Sequence, residues 1–222
     1  YQYLVIGYRH YHAAQWQQAI AAFQNAVNED ATYAHAHAMI SVNRYMDAQI
    51  SRNPGFDGEL EKAEHSARRA LEIDPSEAKA NIGLGQIMDW RGRHSESMGY
   101  LERAVVLNPS FAHASTARSY HAVMTGSFES AKTHIQNAMR LRVGDAGLGF
   151  CLPSKALADL HLGNFKDALQ TAHWAMRLTP DFWLTRLVLA ASLHAAGDFE
   201  SAASLVHDLK RDYAGLNADE FA

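Results

Sequence analysis

Thirteen histidines in a chain of 222 residues make metal ligation and proton transfer the first chemistries to test. A metal site built on one helix wants imidazoles three or four residues apart, where successive turns set them side by side. His10 and His12, like His35 and His37, stand two apart, about 200° around a helix, so their rings diverge. No His-x3-His pair and no HExxH string occurs. Glu61 and His65 share a helix face at a spacing of four, but two ligands do not complete a tetrahedral site. The expectation is no metal and no cofactor, with the imidazoles on the surface or lining a groove.

The other reactive patterns fare no better. GDAGLG, ending at Gly149, lacks the Gly-Lys-Ser/Thr ending of a phosphate loop and follows no strand, so it reads as a flexible loop. Cys151 is the single cysteine, which excludes an internal disulfide; between Phe150 and Leu152 it reads as a buried small hydrophobe rather than a nucleophile. GxSxG, HRD and DFG strings are absent, and the carboxylates are spread over helix faces. No residue is assigned a catalytic role, and the chain is read as a non-enzyme.

Composition narrows the partners. The net charge of −4 carries no basic block, which argues against nucleic acid. No apolar run reaches the ~18 residues of a membrane span, and no signal-peptide pattern opens the chain. A cytoplasmic location is expected. Tyr1 opens inside what already reads as a helix, as in a fragment of a longer protein.

The elements that must position any binding residues come from a repeat. Pro75 and Pro109 stand 34 residues apart and close nearly the same phrase, ALEIDP and AVVLNP. Small residues recur in step: Ile6-Gly7 and Leu84-Gly85 in first helices, then Ala19/Phe23/Ala26, Ala63/Ala67/Ala70, Ser97/Leu101/Ala104, Ala131/Ile135/Ala138 and Ala168/Ala172/Ala175 in second helices, with Ala190, Leu193, Ala202 and Val206 in the last unit. Gly92, Gly126, Gly163 and Gly197 each end a first helix, where a left-handed residue is wanted. Asp74, Asn108 and Asp181 precede the next unit and fit N-caps. Six units result, at about 1–31, 32–75, 76–109, 110–143, 144–180 and 181–214, in one continuous array. The second carries about ten extra residues, expected as a long first helix and a loop around Asn53-Pro54-Gly55. Pro153 is expected to start or kink its helix.

On these motifs the whole chain resembles tetratricopeptide repeat proteins. The resemblance implies an all-α fold, a right-handed superhelical α-solenoid of about six helix–turn–helix repeats. IGYRHYHAAQWQQAIAAFQNAVNEDATYAHAHA and ALEIDPSEAKANIGLGQIMDWRGRHSESMGYLERAVVLNPS are similar to the repeat regions that follow cyclase or winged-helix domains in bacterial signalling and transcription-regulating proteins. That implies a regulatory or scaffolding module. Chaperone-binding members grip a terminal carboxylate with Lys, Asn and Arg; the matching positions here are Leu4, Tyr8, Ala38, Val42, Ile82 and Gln86, so that clamp is missing and only Lys79 is basic.

First helices line the inner face of such an array. The register places Tyr8, Tyr11 and His12 there, then His35 and Tyr45, then Lys79, Gln86, Asp89 and Trp90, then His113, Thr116 and Tyr120, and His161. Tyr, Trp and His favour buried contact with a partner. The reading is a groove for a protein or peptide segment, or for other domains of the parent protein. Two alternatives stand beside it: small-ligand sensing through His113, Tyr120, Gln86 and His161, and homo-oligomerisation through the terminal repeat, SLVHDLKRDYAGLNADEFA.

Overall fold

The computed structural model describes residues 2–51, 56–141 and 145–213, with backbone only for 145–147. These residues form twelve helices and no strand. They pair as α1 Gln2–His12 with α2 Trp16–Glu29, α3 Ala34–Ser51 with α4 Phe56–Ile73, α5 Ala78–Trp90 with α6 His94–Leu107, α7 Ala112–Met124 with α8 Phe128–Arg140, α9 Asp145–His161 with α10 Phe165–Leu178, and α11 Trp183–Ala195 with α12 Phe199–Asp212. From α3 onward each first helix also packs on the next first helix, and each second helix on the first helix that follows. The result is an α-solenoid.

Within a hairpin the two helices touch through a small residue facing a large one. A Cβ added to Gly7 would lie 2.7 Å from the Phe23 ring, and one on Gly85 would lie 2.6 Å from the Leu101 side chain. Phe23, Leu101 and Ile135 are fully buried, as are the alanines at 19, 63, 67, 104, 131, 168 and 175. Val206, in the last hairpin, is 37% exposed.

The hairpin turns use the left-handed region: φ is +70° at Gly92, +72° at Gly126, +77° at Gly163 and +87° at Gly197. In the first hairpin Ala14 takes this place with φ 53°, a conformation that costs a β-carbon-bearing residue about 1 kcal/mol. Between hairpins the expected N-caps are absent. Asp74 accepts from the Ser76 N–H and hydroxyl, and Asn108 from the Ser110 hydroxyl, so both close turns in the linker. Their carboxylate or amide is spent two residues on, short of the next helix, and Glu77 caps α5 instead.

Two further expectations are corrected. Asp145 to Gly149 is helical, so α9 runs through Pro153 rather than starting there. Residues 142–144 lie outside the described residues. Proline removes the donor that the Gly149 carbonyl would receive four residues back. Thr179 replaces it, its hydroxyl donating to Gly149 O at 3.1 Å. Only glycine allows this approach, since a Cβ at 149 would sit 2.6 Å from the Thr179 methyl.

The long first helix expected in the second unit is present, and its reach was not foreseen. α3 and α4, eighteen residues each, are longer than a plain repeat requires; the loop at Asn53-Pro54-Gly55 lies outside the described residues. Their additional length carries Ile50 and Phe56 into a line of rings that crosses the solenoid. Trp16 meets Phe150 at 5.8 Å, Phe150 meets Phe182 at 5.1 Å, Trp183 meets Trp90 at 6.5 Å and Trp90 meets Phe56 at 5.1 Å. The first hairpin thereby touches the fifth, and the third touches the sixth. Repeats share core with more than their neighbours.

Gly85→Ala should therefore cost ~1–3 kcal/mol through overpacking. Gly99→Ala, exposed in mid-α6 with nothing within 4 Å, should gain ~0.5–1 kcal/mol. Chemical denaturation of the two variants checks the pair; equal effects would remove the close-approach account. Thr179→Val, which keeps the shape, should cost ~1–3 kcal/mol by orphaning the Gly149 carbonyl. A loss too small to measure would mean another donor satisfies it.

Candidate functional site

The inner face has two halves of different character. At the N-terminal end, α1, α3, α5 and α7 bring together Tyr8, Tyr11, His12, His35, Lys79 and His113. The Tyr8 hydroxyl is hydrogen-bonded to His35 Nε2, and His35 Nδ1 lies 2.9 Å from Glu77 Oε2. Tyr8 stacks on His35 at 5.9 Å and on His12 at 6.1 Å, and meets Phe23 edge-on at 5.7 Å. The Lys79 ammonium sits over three rings, 5.0 Å from Tyr8, 5.2 Å from Tyr11 and 5.3 Å from Phe111. His113 packs on Phe111 at 5.9 Å, its Nδ1 without a hydrogen-bond partner.

Burial governs the electrostatics here. It lowers Lys79 to about 8, against the pull of the Glu77 charge. Ring faces around the ammonium offset part of that cost, by ~0.5–2 kcal/mol. Burial and the Lys79 charge lower His113 to about 4, so its imidazole is neutral near pH 7. Burial raises both Tyr8 and Tyr11 to about 12, with the Glu77 charge adding to the shift at Tyr8. Burial alone would raise Glu77, yet His35 and the Lys79 N–H and ammonium hold it below the usual carboxylate range.

The other expected groove residues are not part of this cluster. Tyr45 is 4% exposed and belongs to the core with Trp16, Phe56 and Met88. Trp90 and Tyr120 pack against the Trp183 and Phe182 end of the aromatic line. Gln86 is buried, and the Thr116 hydroxyl is turned back onto the His113 carbonyl at 2.8 Å. His161 is exposed and stacks on Phe128 at 4.2 Å. His113, Tyr120, Gln86 and His161 therefore lie in different packing environments. Cys151 is buried, its thiol pushed up to about 12 by that burial.

Sequence reasoning missed four partners, Glu77, Phe111, His94 and His121. Glu77 and Phe111 sit at helix starts and join the cluster only through the stacking of repeats. Asp89, buried to 1%, meets His121 Nδ1 at 2.7 Å and His94 Nδ1 at 3.1 Å. His121, 5% exposed, departs from the expectation of imidazoles on the surface or lining a groove. Spacing along single helices could not reveal this cluster, because its side chains come from α5, α6 and α7.

Because the folded Lys79 pKa is about 8 and the free value 10.5, the unfolded chain holds the extra proton between those pH values. Stability gained from Lys79 therefore rises with pH from about 8 to 10.5. Above about pH 10 the two tyrosines act oppositely, since unfolded tyrosine ionises first. Denaturation midpoints between pH 7 and 10 should rise less in Lys79→Met than in the parent chain. Parallel profiles would show that Lys79 is not desolvated.

Among the described residues no helix is long and apolar enough to cross a membrane. A family model described as tetratricopeptide repeat matches residues 56–112 and 154–215, together more than half of the chain. The chain is similar to tetratricopeptide repeat-containing protein trd-1 of Caenorhabditis elegans, 26% identical over 165 residues, which make up 73% of this chain and 20% of that one. It thus spans about a fifth of that relative's length. A chain of the APC/C hetero-tetramer Cut9–Hcn1 superposes with a TM-score of 0.74 at 13% identity, over 99% of this chain and 41% of that one. PilF of Pseudomonas aeruginosa gives 0.59 at 19% identity, over 97% and 92%. These structural likenesses are of fold alone. With hairpin turns, small-against-large contacts and matched segments in agreement, the chain belongs to the tetratricopeptide repeat family.

Proposed function

We propose that the chain is a non-catalytic interaction module whose binding surface is the N-terminal half of the inner face. The observation that carries this reading is the cluster of Tyr8, Tyr11, His12, His35 and Lys79, drawn from three successive hairpins and only partly buried. Its occupant is a protein segment. Half-buried tyrosines offer apolar area with a polar rim, the make-up of residues that anchor partners. The C-terminal half of the same face is filled by the protein's own Trp90, Phe150, Phe182 and Trp183 and leaves little for a partner.

The parent protein in this reading is a bacterial signalling or transcription-regulating protein, and the occupant is one of its other domains or a protein it recruits. Support comes from the similarity of the 6–38 and 70–110 segments to repeat regions of that kind. The scaffold role follows from the family, whose members generally mediate protein–protein contact.

A displayed peptide library tests the site. Peptides selected by the parent chain should bind the Tyr8→Ala/His12→Ala variant at least tenfold more weakly, with its helical circular dichroism unchanged. Peptides that bind both equally would move the binding surface elsewhere.

A further inference from the structure

We propose that Asp89, His94 and His121 form a binding site for one divalent transition-metal ion of the zinc type, cross-linking the third and fourth hairpins. One ligand atom from each of the three lies within 4.8 Å of the others. Both rings already aim Nδ1 at the same Asp89 oxygen, at 2.7 and 3.1 Å. In a tetrahedral site with ligand distances of ~2.0–2.2 Å, adjacent donors stand about 3.3 Å apart. The two oxygen–nitrogen distances need to open by only tenths of an ångström, and the two imidazoles, whose ligand atoms lie within 4.8 Å of each other, need to close on the ion by small side-chain rotations.

A second observation points the same way. Asp89 is 1% exposed, and its other carboxylate oxygen, Oδ2, is buried without a hydrogen-bond partner. A buried carboxylate with one unsatisfied oxygen is costly unless something cationic completes it. Imidazole with carboxylate is a donor set for zinc or its first-row neighbours rather than for calcium or magnesium. His94, with 35% of its side chain exposed, gives the ion a route from solvent and leaves a coordination position for water. The ion's role is structural: α5, α6 and α7 each supply one ligand, so it fixes the angle at one junction of the solenoid.

Zinc chloride added to chelator-treated protein tests the site. One equivalent should bind against a chromogenic chelator and raise the melting temperature, whereas magnesium should do neither. His94→Gln, at a half-exposed position that should tolerate the change, should weaken zinc binding at least tenfold and remove the melting shift. His65→Gln, an exposed imidazole elsewhere, should leave both unchanged. A cobalt(II) complex should show the visible absorption of a low-coordinate ion in the parent chain and lose it in His94→Gln. Zinc binding that survives His94→Gln, several weak equivalents, or none at all would each overturn the proposal.

Discussion

The distance between the two helices of a hairpin is the constraint on which the rest of this solenoid depends. It is set where a residue without side-chain bulk faces one with much of it. Gly7 under Phe23 and Gly85 under Leu101 are the tightest examples, and neither glycine could carry a methyl group without displacing its partner. Ser119 and Ala156 occupy the corresponding first-helix positions, and the residues in register with Phe23 there are Ile135 and Ala172, all buried. Helix separation propagates: it decides how far the next first helix stands from the last, and so the width of the inner face.

A solenoid with contacts only between neighbours could flex along its axis. This one is tied across it. Trp16, Phe150, Phe182, Trp183, Trp90 and Phe56 form edge-to-face contacts that link distant hairpins, and such pairs are each worth ~0.5–1.5 kcal/mol beyond burial. The longer second hairpin adds Ile50 and Phe56 to this line. Partner binding and internal packing therefore compete for one face, and the aromatic line has taken the C-terminal half. What remains at the other end is the cluster of Lys79, Tyr8, Tyr11, His12, His35 and His113, in which Lys79, His113 and both tyrosines are held in partial desolvation.

Periodicity made the fold legible, since Ala131/Ile135/Ala138 and its counterparts repeat a local packing rule that any unit shows by itself. The glycine turns were legible for the same reason, with Ala14 the position where residue type and backbone disagree. The site was legible only in part. Placing Tyr8, His35 and Lys79 on first helices followed from register, and those residues do meet. Tyr45, Trp90 and Tyr120 carry the same register and residue types, yet face a different environment, because what opposes them is set by hairpins far along the chain. Pro153 was misleading on its own: the residue that accommodates it, Thr179, sits just past the end of the next helix.

The two buried carboxylates of the first helices make the contrast that matters most for chemistry. Asp159 lies between Lys155, at 2.7 Å, and Lys132, at 3.0 Å. Burial would raise its pKa, but these two ammonium groups hold it below the usual range. That carboxylate has its countercharges within the protein. Asp89 is equally buried but meets two imidazoles, both through one oxygen, and its other oxygen has no hydrogen-bond partner. A divalent ion held by the same three side chains would meet the Asp89 carboxylate directly. Of the two acids, one is met by imidazoles and the other by ammonium groups, and only the imidazoles are also metal donors.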